Sequence, residues 1–118
     1  MRASLKRNTQ VIVLEVEPYG PNGVHRVNMV LETGATFTMM PWAVAEHLGY
    51  EPAVSRSRIT LTTASTIETV PMITIERMKV LGAEAEGVDV VVHDLPPKSR
   101  VDGLLGLSFL RRFNKGER

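Results

Sequence analysis

Cysteine is absent from the 118-residue chain. Its absence excludes disulfides, thiolate nucleophiles, zinc ribbons and iron-sulfur clusters, and leaves the redox compartment open. No charge of one sign dominates either. Fourteen Lys and Arg stand against thirteen Asp and Glu, a formal charge of +1, so no long-range field draws in nucleic acid or an anionic membrane. Long apolar runs are also missing: near the start, Val11 to Leu14 gives four apolar residues before Glu15 interrupts them. A signal peptide needs about 7 to 15 apolar residues and a membrane span about 20. The expectation is a cytoplasmic protein, or a soluble domain of a larger one, with no membrane segment within this chain. Internal repeats, heptads and low-complexity tracts are absent too.

What is present suits one domain, since 118 residues fall in the usual single-domain range and a chain of that size buries roughly 60 to 70 % of its unfolded surface without staples. Short stretches rich in Val, Ile, Thr and Met recur between Gly and Pro punctuation, the pattern of a small all-β domain. Val11 to Glu17 is followed by Pro18 and the turn formers Tyr19-Gly20-Pro21-Asn22-Gly23, which predicts a hairpin with a return strand from about Val24 to Leu31. On that strand His25, Val27, Met29 and Leu31 share the expected core face. Pro41 opens, and Gly49 closes, a two-turn helix over Trp42 to Leu48. Strands are expected at Arg58 to Thr63, Ile67 to Ile75, Met78 to Leu81 and Val88 to His93, with Gly82 and Gly87 bracketing a turn. After the Pro96-Pro97 loop, the segment through Phe113 has the apolar spacing of a terminal helix of about two turns.

Two segments stand out together: Met29-Val30-Leu31-Glu32-Thr33-Gly34-Ala35-Thr36 and, about seventy residues later, Val101-Asp102-Gly103-Leu104-Leu105-Gly106-Leu107-Ser108-Phe109-Leu110. Their order and spacing resemble the retroviral-type (retropepsin-like) aspartic proteases, in which an apolar pair precedes Asp-Thr-Gly-Ala and a later strand reads apolar, apolar, Gly before a helix. The resemblance runs from about Val11 to Phe113. It implies a small closed barrel-like retropepsin fold, all-β, with one short helix after the active-site loop and one at the C-terminus. A single domain over 8–114 is expected, and the charge pattern at the two ends predicts flexible basic termini at 1–7 and 115–118. By the same resemblance the protein is a homodimeric endopeptidase that acts on peptide or protein substrates without a cofactor. Glu32, Thr33 and Gly34 stand at the catalytic positions, and Ala35 with Thr63, Ala64, Ser65 and Thr66 of the flap stands against substrate. Leu104, Leu105 and Gly106 support the loop, Thr33 braces it against its twin, and Gly34 lets a second backbone approach.

Glu32 occupies the family's Asp position. In the family each subunit gives one Asp, and the pair shares a proton because like charges so close do not both ionise easily. One carboxylate draws a proton from the attacking water while the other protonates the carbonyl oxygen. Glutamate keeps the charge but adds a methylene, about 1.5 Å of reach per subunit, and a misplacement of about 1 Å can cost on the order of 10²-fold in rate. Activity is therefore expected to be weakened or lost. The alternative is a catalytically inactive peptide-binding or dimerisation module on the same fold. The flap link Ala64-Ser65-Thr66 also lacks the family's usual Gly. Elsewhere the residues carry blander roles: Asp102-Gly103 is a turn dipeptide, the serines show no triad, and Trp42 is a packing anchor. His25, His47 and His93 lack ligand-like spacing, so no metal is expected.

Overall fold

Inward-facing valines and methionines close the sheet into a ring. The structure, a computed structural model, describes residues 11–62 and 65–116, without the side chains of 113–116. Its elements are β1 (Val13–Gly20), β2 (Gly23–Val24), β3 (Val27–Leu31), β4 (Thr38–Met40), α1 (Trp42–His47), a 3-10 turn (Pro52–Val54), β5 (Arg58–Thr62), β6 (Ile67–Val80), β7 (Ala83–Val92), β8 (Gly103–Leu105) and α2 (Leu107–Gly116). Six strands pair in the order β1-β3-β8-β4-β7-β6, and β6 returns to β1. Closure leaves no open edge around the ring. β5 and β2 lie outside it, on the first part of β6 and the last part of β1. Met29, Met40, Ile75, Met78 and Leu105 are fully buried within, beside valines of β1 and β7.

The return strand after the first turn is interrupted where one continuous strand was expected. β2 ends at Val24 and β3 begins at Val27, because Pro18 of β1 lies opposite His25 and has no N–H to donate. Only the His25 N–H to Pro18 carbonyl bond, at 3.2 Å, forms there. The core face holds nonetheless, with Val27 and Met29 buried and Asn28 exposed.

The stretches Ile67 to Ile75 and Met78 to Leu81, expected as two strands, form one strand of 14 residues. Its first part pairs with β5, its last part with β1, and β7 runs alongside from Met72 to Val80. At Glu76-Arg77 the alternation slips, so that Ile75 and Met78 both face inward; on β7, Ala85 and Val88 do the same. Gly87, at φ 63°, supplies the backbone twist for this slip and is not a turn residue as expected. The turn is Leu81-Gly82 alone.

Pro41 is the N-cap of α1, one position before the expected first helical residue. The first helical N–H, on Trp42, is donated to Asp94 Oδ1 at 3.0 Å, so a loop far along the chain caps this helix. Gly49, at φ 100°, ends it. α2 has 10 residues, longer than the two turns expected. No helix among the described residues is long and apolar enough to cross a membrane.

Candidate functional site

β3 runs parallel to β8, with Leu31 opposite Leu105. The chain then leaves the sheet. The Glu32 N–H donates to the Leu105 carbonyl at 2.9 Å, and the Glu32 carbonyl accepts the Ala35 N–H at 3.1 Å, which closes a tight turn over Glu32-Thr33-Gly34-Ala35. The carbonyls of Ala35 and Thr36 accept the N–H groups of Leu107 and Ser108 at 2.9 and 3.0 Å. These donors belong to the first turn of α2 and have no partner inside the helix. The acid loop therefore caps the C-terminal helix.

A hydroxyl pair lies beneath the loop. Thr38 is fully buried. Its Oγ1 accepts the Gly106 N–H at 3.0 Å and the Ser108 hydroxyl at 3.1 Å, while Ser108 Oγ accepts the Thr38 N–H at 2.9 Å. Gly106 is buried against the same loop, and a Cβ there would come within 2.5 Å of the Phe37 carbonyl oxygen and 2.7 Å of that of Ala35. Leu104 is half-buried between Val30 and Met39, and Leu105 is fully buried. Thr38 and Ser108 escape a reading of the sequence as site residues. The available signal is a hydroxyl at an inward strand position in Thr38-Met39-Met40, with a second one two residues past Gly106.

Glu32, Thr33 and Gly34 are exposed. Neither the Glu32 carboxylate nor the Thr33 hydroxyl bonds to another described residue. Among the described residues, a Cβ on Gly34 would meet nothing within 4 Å, and its φ lies outside the left-handed region. Asp102 is held elsewhere: Oδ2 accepts the Asn28 N–H at 2.9 Å and its own N–H returns to the Asn28 carbonyl at 2.8 Å. Four strand positions, about 13 Å at the usual rise per residue, separate Asn28 from Glu32, so Asp102 is not a second acid beside it.

The β5–β6 hairpin runs in register from Arg58 opposite Pro71 to Thr62 opposite Ile67. Ser65 and Thr66 are exposed in its connection; Thr63 and Ala64 lie outside the described residues. Sequence spacing did not bring the histidines together, yet the His25 and His47 rings meet edge-on at 4.9 Å. Among the described residues, no group of three or more His, Asp or Glu is placed to hold a metal. Tyr50 Oη donates to the Tyr19 carbonyl at 2.7 Å and accepts the Glu76 N–H at 2.9 Å. Burial raises its pKa above the usual 10.0, against the lowering effect of the Glu76 hydrogen bond.

Among curated proteins, none matches the chain. Among solved structures, the crystal structure of a retropepsin-like aspartic protease from Rickettsia conorii matches with a TM-score of 0.62 and 22 % identity, covering 90 % of each chain. At that identity the likeness speaks to fold, and it agrees with the closed six-stranded ring and two helices. The family model described as "gag-polyprotein putative aspartyl protease" matches residues 21–112, a span that holds both the acid loop and the Leu104-Leu105-Gly106 strand, and the chain belongs to this retropepsin-like aspartic protease family.

Proposed function

We propose that the protein is a homodimeric endopeptidase-type hydrolase in which the Glu32 carboxylates of two subunits face each other and activate a water. The observation that carries this is the acid turn itself: Glu32 and Thr33 are exposed on a hydrogen-bonded loop, and neither side chain bonds to another of the described residues. The chemistry needs two carboxylates, one to take a proton from water as its oxygen attacks the scissile carbonyl carbon, the other to protonate the carbonyl oxygen. Each chain offers one such loop. Gly34 supports the same reading, since among the described residues nothing crowds its missing Cβ and a second backbone could use that space.

The working unit is the domain over 8–114. The substrate is an extended polypeptide that lies as an added strand between the loop and the β5–β6 hairpin, which acts as a flap with Ser65 and Thr66 in its connection. Main-chain hydrogen bonds hold such a strand and pockets read alternate side chains.

The extra methylene of Glu32 sets the expected rate. In an assay on an unfolded polypeptide, Glu32→Asp should gain activity over the parent by up to about 10²-fold, and Glu32→Gln, similar in volume but unable to exchange the proton, should have none. A dimeric Glu32→Asp variant without activity would overturn the catalytic reading and leave a peptide-binding module.

A further inference from the structure

The turn after β1 docks on the last turn of α1. The Asn22 N–H donates to the Leu48 carbonyl at 2.9 Å, and its side-chain amide donates to the His47 carbonyl at 3.4 Å. Just beyond that turn the His25 N–H is tied to the Pro18 carbonyl at 3.2 Å. Both backbones are therefore held, and they bring the His25 and His47 rings edge-on with centroids 4.9 Å apart. His25 is half-buried and His47 exposed. Neither imidazole has a hydrogen-bond partner among the described residues, so the fold leaves the nitrogens of both rings free.

Two imidazoles at this separation fit one shared ion. With a zinc-to-nitrogen bond of about 2.1 Å and a ring radius of about 1.1 Å, each ring centre lies about 3.2 Å from the metal. Two centres 4.9 Å apart then subtend about 100° at the ion, between the roughly 90° of adjacent octahedral ligands and the roughly 109° of tetrahedral ones. The 65° between the ring planes is no obstacle, because rotation of an imidazole about χ2 is soft.

The geometry points to a two-histidine site at His25 and His47 for a divalent transition-metal ion that favours imidazole, such as Zn²⁺ or Ni²⁺. Water fills the remaining positions, since no group of three or more His, Asp or Glu is placed to hold a metal among the described residues. Arg26, next in the chain, is ion-paired with Glu17 at 3.2 Å, which offsets its charge beside a bound cation. His25 precedes β3 and Glu32 follows it. The site and the acid loop thus lie at opposite ends of that strand, and the inference stands apart from the proteolytic reading. An ion held by both elements pins the first turn to α1 and stabilises the folded chain by mass action.

Calorimetric titration of the full chain with ZnCl₂ or NiCl₂, with MgCl₂ as the oxygen-preferring control, tests this together with NMR spectra of the histidine rings. The chain has three histidines and no cysteine, so few ligands compete. His25→Gln and His47→Gln should each bind Zn²⁺ about 100-fold more weakly, because one arm of the chelate is gone. His93→Gln should bind as the parent does; His93 is tied through its N–H to Met40, before the other end of α1. Paramagnetic Ni²⁺ should broaden the His25 and His47 ring signals together and leave those of His93 sharp. At a hundredfold excess over its Kd, Zn²⁺ should raise the parent's melting temperature by about 10 °C, and EDTA should reverse the rise. A parent that binds neither transition ion at about 1 mM, or binds Mg²⁺ equally well, would overturn the site. Undiminished affinity in either His25→Gln or His47→Gln would overturn it as well. So would Ni²⁺ broadening of one ring alone, a result read on the parent and independent of whether any variant folds.

Discussion

Replacing Thr38 by valine exchanges a hydroxyl for a methyl of nearly the same size, so no cavity opens and the effect is one of hydrogen bonding. The buried Gly106 N–H, 3.0 Å from Thr38 Oγ1, loses its acceptor. A buried donor left without a partner costs about 1 to 3 kcal/mol. The Ser108 hydroxyl, 3.1 Å away, loses its acceptor as well but can rotate, which adds about 0.5 to 1.5 kcal/mol. The sum is about 1.5 to 4.5 kcal/mol. At about 4 °C per kcal/mol for a chain of this length, the melting temperature should fall by about 6 to 18 °C, read by circular dichroism at one fixed protein concentration so that association does not intrude. Ser108→Ala breaks the same network from the other side, so the double variant should lose less than the two single losses added, by at least about 0.5 kcal/mol. A Thr38→Val protein that melts within about 2 °C of the parent, or strictly additive losses, would refute the argument that this pair clamps the acid loop to α2.

Gly106→Ala adds the smallest possible side chain where two backbone carbonyl oxygens stand 2.5 and 2.7 Å from the new atom; denaturant titration should show a loss of about 1 to 3 kcal/mol. Gly34→Ala, by contrast, meets nothing within 4 Å among the described residues, so monomer stability should stay within about 0.5 kcal/mol while sedimentation shows a weaker dimer. Tyr50→Phe removes the link between Tyr19 and Glu76 and should cost about 1 to 3 kcal/mol at neutral pH. The sign of its pH dependence follows from burial: a phenol whose pKa is raised above 10.0 in the fold holds its proton more tightly there, so its stabilisation is full below pH 10 and is lost as pH climbs through the raised value. Urea melts should therefore show the parent's advantage over Tyr50→Phe shrinking above about pH 10.

Local chemistry made part of this fold legible. Pro41 and Gly49 punctuate α1, and the alternation in Val27–Leu31 picks out its buried face, because each signal acts on its own few residues. The break opposite Pro18 was equally written in the sequence, but its effect falls on His25, across a pairing that must be known first. Gly87 misled in the same way: glycine at positive φ suits a turn or a twisted strand, and only the facing slip at Glu76-Arg77 decides between them. The acid loop could be located from Leu31-Glu32-Thr33-Gly34 and Leu104-Leu105-Gly106 because two short patterns occur in a fixed order. The clamp beneath it could not, since Thr38 and Ser108 are 70 residues apart and a threonine in a strand or a serine in a helix is unremarkable until the two hydroxyls meet. Asp94 capping α1 from 52 positions away was hidden for the same reason.

Subunit mixing tests the central claim, one carboxylate from each chain, most directly. Glu32→Asp and Glu32→Gln chains are combined at constant total concentration, allowed to exchange, and assayed for hydrolysis of an unfolded polypeptide. If the site needs an acid from both subunits, activity falls as the square of the Glu32→Asp fraction, because only dimers with two carboxylates work. Activity that falls in simple proportion to that fraction would show that each chain acts alone and would contradict the account.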